Sequence, residues 1–192
     1  MSDSSRLPVA PARLLAAALA LVALMLLIAA PGSARAAECK GADLSPGGLK
    51  KDRAEQIVLC LINKERNDRG LGGLNREGAQ GKAARKHTKL MVRQRCFSHQ
   101  CSGEADLVSR IEKTSYLPCN CYWGVAENLA YGEQGQGSPR GLVQAWMNSP
   151  PHRANILNRR YEHIGIGVVW GTPTIGGDRR SATYTTDFGY RD

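Results

Sequence analysis

The sequence predicts an α+β domain. Two segments with helical periodicity come early in the chain, two β-rich runs lie near its C-terminus, and no change of composition splits them apart. Helices first and strands last favour segregated layers around a single core.

The first segment, Met1 to Ala36, reads as a signal peptide. Arg6 and Arg13 precede an uncharged run from Leu14 to Ala30, and the small-residue tripeptide Ala34-Arg35-Ala36 fits a cleavage site. An uncleaved anchor is the alternative, because the run would extend roughly 25 Å as a helix. Cys39 is an unfavourable lipidation site with Glu38 before it. Residues 37–52 form an N-terminal tail, and residues 53–192 the domain.

From Arg53 to Asp68 the apolar residues Ala54, Ile57, Val58, Leu61 and Ile62 recur at helical spacing, and Gly70, Gly72 and Gly73 follow the helix. A second helix, from about Glu77 to Arg93, turns Ala79, Ala83, Ala84, His87, Leu90 and Met91 inward. Its outer face carries Lys82, Arg85, Lys86, Lys89 and Arg93, a basic stripe. Asp106 to Lys113 predicts a short helix. Gly132 to Gly137 predicts a loop, and Ser138-Pro139 opens a helix through Trp146 with a capping serine and proline at its first position. Ile164, Ile166, Val168 and Trp170 alternate with other residues in one strand, and Tyr184, Thr186 and Phe188 lie in another. The glycine-rich segment between them predicts a hairpin.

The full chain carries a formal charge of +9. Loss of the leader removes three arginines and one aspartate and leaves +7. This charge favours anionic surfaces such as wall polymers or lipid head groups; nucleic acid is not the expected partner. All six cysteines, Cys39, Cys60, Cys96, Cys101, Cys119 and Cys121, follow the leader. An even number in an exported chain reads as disulfides. The expected pairing joins Cys39 to Cys60, and Cys96 and Cys101 to Cys119 and Cys121.

Four short segments stand out: Phe97-Ser98-His99, Ala126-Glu127-Asn128-Leu129-Ala130, the run from Trp146 through Asn148-Ser149-Pro150-Pro151-His152-Arg153-Ala154-Asn155 to Leu157, and Ile164-Gly165-Ile166-Gly167. With Ile62-Asn63-Lys64-Glu65-Arg66 in the first helix, their order resembles the CAP superfamily (cysteine-rich secretory proteins, venom antigen five and plant pathogenesis-related proteins), and in particular its bacterial secreted branch. The resemblance covers roughly residues 53 to 192. It implies a three-layer α-β-α sandwich with a cleft that holds two histidines and two glutamates. His99, Glu127 and His152 match three of those positions. Ser149 stands where the family has the second glutamate, and Ala126 replaces the glycine before Glu127.

Two imidazoles and one carboxylate could ligate a divalent metal such as zinc, with water in the open position. With Ser149 in place of a carboxylate, such binding would be weak and exchangeable. Alternatively, His99, Glu127 and His152 form a hydrogen-bonded cluster that orients the cleft loops, with Asn155 beside it. The chain lacks the H-E-x-x-H and G-x-S-x-G hydrolase signatures, and a glycosidase would need a second carboxylate. The expectation is a secreted, monomeric, non-enzymatic binding module that takes a lipid or an anionic envelope component. A metal-assisted hydrolase and a structural envelope protein held by the basic helix are the alternatives.

Overall fold

A computed structural model describes residues 39–117 and 121–192. The leader and Cys119 therefore lie outside the described residues. The described part belongs to one unit, residues 38–192. Its helices are α1 (Lys51–Asn67), α2 (Gly78–Gln94), α3 (Leu107–Glu112), α4 (Pro139–Asn148) and α5 (Pro150–Ile156). Its strands are β1 (Asn75–Arg76), β2 (Trp123–Glu133), β3 (His163–Trp170) and β4 (Ser181–Arg191), in sheet order β1-β3-β4-β2. None of the described helices is long and apolar enough to cross a membrane.

The predicted hairpin is present, with β3 and β4 antiparallel and β2 antiparallel to β4 on the other side. Alternation along β4 explains the layers. Ala182, Tyr184 and Phe188 join Ile164, Ile166 and Val168 of β3 in the main core, packed under Ile57, Val58, Leu61 and Ile62 of α1 and Leu142, Val143 and Trp146 of α4. The opposite face lies under α2, where the Thr88 hydroxyl bonds the Thr185 hydroxyl at 2.8 Å. A Cβ at Gly165 would lie 2.2 Å from the carbonyl carbon of Gln80, and one at Gly167 would lie 2.5 Å from that of Ala84. Both positions must therefore be glycine for the α2 backbone to rest directly on the sheet. Helices on both faces give the expected three-layer α-β-α sandwich.

The Asn63-to-Arg66 segment is a structural joint. Asn63 exchanges hydrogen bonds with the Leu74 backbone at 3.0 and 2.7 Å. The buried Arg66 guanidinium donates to the carbonyls of Gly72, Ile156, Asn158 and Tyr161. One side chain thus ties α1 to the end of α5 and the entrance of β3, and satisfies carbonyls that would otherwise be buried unpaired.

Three elements are not legible in the sequence, the two-residue strand β1 among them. β2 carries a motif but no strand signal, because its residues do not alternate cleanly between apolar and polar. α5 is hidden by Pro150-Pro151, yet proline suits the first turn of a helix, where the N–H groups have no intrahelical acceptor.

Cys39 is bonded to Cys60 as expected. The second expectation is corrected: Cys96 is bonded to Cys101, not to Cys119 or Cys121. Arg95 ends α2 in the left-handed conformation, with φ 55°, and turns the chain back. The Cα atoms of Cys96 and Cys101 come within 6.0 Å, inside the range a disulfide spans. Cys121 is disulfide-bonded as well.

Candidate functional site

The Cys96–Cys101 bond closes a short loop that carries Phe97, Ser98 and His99. It brings His99 to β2. The His99 ring Nδ1 lies 2.8 Å from Glu127 Oε1, while most of the ring remains exposed. Glu127 itself is 5% exposed. Its second oxygen, Oε2, accepts from Arg110 Nη2 at 2.5 Å.

Arg110 projects from α3. Its Nη1 donates to the His99 carbonyl at 2.7 Å, so the same guanidinium holds both Glu127 and the loop that bears its histidine partner. Behind this pair, His87 of α2 is fully buried, with Nδ1 2.7 Å from Glu104 Oε2 and Nε2 3.8 Å from Glu127 Oε2. Burial pushes the Glu127 carboxyl up, but the hydrogen bond from His99 and the nearby charge of Arg110 outweigh it and hold the group below its ordinary value. The hydrogen bond to Glu127 pushes His99 up.

Asn128, the next residue on β2, points to the opposite face of the strand. Its side-chain nitrogen donates to the His152 carbonyl at 3.0 Å, and its oxygen accepts from Asn155 at 2.8 Å. Two adjacent residues of this edge strand therefore do separate work: Glu127 holds the network under α2, and Asn128 holds α5 with His152. Burial, together with the positive charge of His99, pushes the His152 ring down. His152, Ser149, Phe97, Leu129, Tyr131 and Trp146 are among the residues lining a cleft of about 270 Å³. The rings of Phe97 and Tyr131 meet edge-to-face at 4.8 Å on its rim, and both are partly exposed. Of the residues expected in the cleft, Ser149 and His152 line it, whereas His99, Glu127 and Asn155 are not among its lining residues.

His99, Glu127 and His152 are thus near one another, but they do not form a metal cage. Both Glu127 oxygens are engaged by His99 and Arg110, and among the described residues no group of three His, Cys, Asp or Glu side chains is arranged to hold a metal ion. The residues present do not fit a tetrahedral zinc site. His163, at the start of β3, meets the Tyr116 hydroxyl at 3.2 Å.

Three members of the network escaped the sequence reading: Glu104, Arg110 and Asp187. Glu104 and Arg110 lie in a loop and a short helix, without a pattern to mark them. Asp187 did carry a signal, as a lone acid inside a β-rich run. It is fully buried, directly opposite Glu127 in the β2–β4 register. Neither of its oxygens meets a side-chain or backbone donor, and the group that faces it is the Glu127 carboxylate, to which a protonated Asp187 can donate. Burial, reinforced by the Glu127 carboxylate, pushes its carboxyl well above the ordinary 3.8.

The sign of this effect is testable. The folded protein keeps the Asp187 proton at pH values where the unfolded chain releases it, so stability falls as pH rises from about 4 toward the raised value, by about 1.4 kcal/mol per pH unit. Asp187→Asn lacks that proton linkage. Thermal melts at pH 4, 5.5 and 7 should show the variant gaining on the parent as pH rises; a difference constant with pH would contradict the assignment.

The sequence profile described as the cysteine-rich secretory protein family, CAP, matches residues 59–176, more than half of the chain. An uncharacterized Bacillus subtilis protein, YkwD, is 35% identical over 115 residues, which are 60% of this chain and 42% of that one. A second B. subtilis relative, the uncharacterized membrane protein YlbC, is 30% identical over 115 residues, 60% of this chain and 31% of its own. This chain therefore spans less than half the length of either relative. Among solved structures, an outer surface protein from Borrelia burgdorferi superposes with a TM-score of 0.61 at 21% identity, over 75% of this chain and 97% of that one. An extracellular SCP-domain protein from Bacillus anthracis superposes at 0.52 with 26% identity, over 73% and 43% of the two chains. Given this profile match, and an α-β-α sandwich that carries His99 and Glu127 side by side, the chain belongs to the cysteine-rich secretory protein (CAP) family.

Proposed function

We propose that the protein is an exported, extracytoplasmic binding module without catalytic activity, whose cleft takes a lipid or a lipid-like envelope component. The observation that carries this reading is the state of Glu127: both of its oxygens are committed, one to His99 and one to the buried Arg110. A carboxylate held below its ordinary value by two cationic partners is a poor general base. It serves instead to fix the loop that bears Phe97 and His99. The cleft wall beside it is mainly apolar and aromatic, with Ser149 and His152 as its polar groups, a composition suited to an apolar body with a polar end. Export is supported by the signal-like leader, by the disulfides, and by relatives described as an outer surface protein and an extracellular protein.

Native mass spectrometry of the purified secreted protein tests the proposal. A co-purifying lipid mass is expected, and it should be lost or much reduced in a Phe97→Ala/Tyr131→Ala variant, whose partly exposed rings can be removed without opening the core. No bound mass in repeated preparations, with no thermal stabilisation by a lipid panel, would reject the reading. Peptide or glycan turnover abolished by His99→Gln would replace it with a hydrolase. One-to-one zinc binding lost in a His99→Ala/His152→Ala variant would restore the metal reading.

A further inference from the structure

On the face of α2 turned away from the sheet, the helix and the segment from Ser102 to Ser115 enclose a groove of about 870 Å³. It shares no lining residue with the cleft. Lys82, Lys86, Lys89 and Arg93 line one wall at helical spacing, so their side chains project from one face over about 16 Å of axis, roughly one cation every 4.5–6 Å. Lys113 faces them from the end of α3. All five are exposed, and none forms a salt bridge among the described residues, whereas Arg85 on the neighbouring face is paired with Glu55. Glu104 is the acid among the lining residues, and it is engaged by His87 and lies 3.8 Å from Arg110. The groove is therefore a row of uncompensated positive charge in a concave surface, where the field is focused.

The remaining lining narrows the class of ligand. Among the described residues no aromatic side chain lines the groove, so they offer no platform on which a nucleobase could stack. Its concavity admits a chain rather than a flat bilayer. Ser102, Thr114, Ser115 and Gln94 supply hydroxyl and amide groups that can exchange hydrogen bonds with sugar hydroxyls. We propose that this groove binds an extended anionic polysaccharide, with its acidic groups in register with the cations of α2. This inference is independent of the cleft and its lipid.

The test is calorimetric titration of the disulfide-intact protein with polymannuronate hexasaccharide at 50 and 200 mM salt. Neutral dextran oligomers, phosphatidylglycerol vesicles and an oligothymidylate serve as the other titrants. Saturable binding of the uronate is expected, weakened on the order of tenfold by the added salt and on the order of tenfold again by Lys86→Ala/Lys89→Ala. Lys50→Ala/Lys51→Ala, which removes the same charge at the start of α1, should leave it unchanged. Coincident melting curves for the variants would show that the fold is intact. Absence of uronate binding, equal binding of dextran, equal loss in both double variants, or tighter binding of vesicles or oligothymidylate would each overturn the proposal.

Discussion

Replacing Glu127 with alanine should cost about 3–5 kcal/mol of folding stability, because it strands a buried guanidinium. The Arg110 side chain is 6% exposed and Glu127 is its close carboxylate partner; Glu104 is farther, at 3.8 Å. Urea unfolding at pH 6 measures the loss. Glu127→Leu combined with Arg110→Met should cost much less than the sum of the two single changes, since the double variant buries no unpaired charge. Additive costs would mean that the pair is not coupled. The pH dependence follows from the directions of the two shifts. The lowered carboxyl of Glu127 contributes stability above its ordinary value of 4.5, and this is lost as pH falls through its folded value. The raised ring of His99 contributes below its ordinary value of 6.5, and this is lost as pH rises through its folded value. The His99 component should therefore be largest between roughly pH 4.5 and 6.5, and small because the ring is largely exposed.

Trp146→Ala should also cost about 3–5 kcal/mol, for a different reason. The indole is 1% exposed at the junction of α1, α4 and the sheet, and it forms part of the cleft wall. Its Nε1 donates to the Leu129 carbonyl at 3.0 Å, which ties α4 to the edge strand beside Glu127. Truncation leaves a cavity and an unsatisfied carbonyl at once. Trp146→Phe separates these effects: it retains most of the volume and should lose about 1–3 kcal/mol, largely from the unpaired acceptor. Chemical denaturation of the three proteins gives both numbers, and equal losses in the two variants would assign the whole effect to the hydrogen bond.

The two sites differ in how far the sequence foreshadowed them. Ala54 through Ile62 and Ala79 through Met91 carry the helical period because one face of each helix is buried against a sheet, and burial leaves a regular trace in residue type. β2 left a weaker trace. It pairs with β4 alone and presents Glu127 and Asn128 to opposite sides, so polar residues needed by the site interrupt its alternation. The Cys96–Cys101 pairing depends on the left-handed turn at Arg95, a conformation that an arginine does not advertise.

Local residue type by itself determined helices α1 to α4 and the β3–β4 hairpin, because each rests on periodicity or on capping residues visible along the chain, whereas the approach of His99 to Glu127 was implied by the family resemblance. Only the tertiary structure decided what Glu127 does. Its partners come from α2, α3 and the 96–101 loop, and its neighbour Asp187 is sixty residues away, brought opposite it by strand register. A carboxylate looks the same in a sequence whether it faces water, a metal or a buried guanidinium. Folding selects among these by removing water from the pair, and that removal makes Arg110 necessary to Glu127.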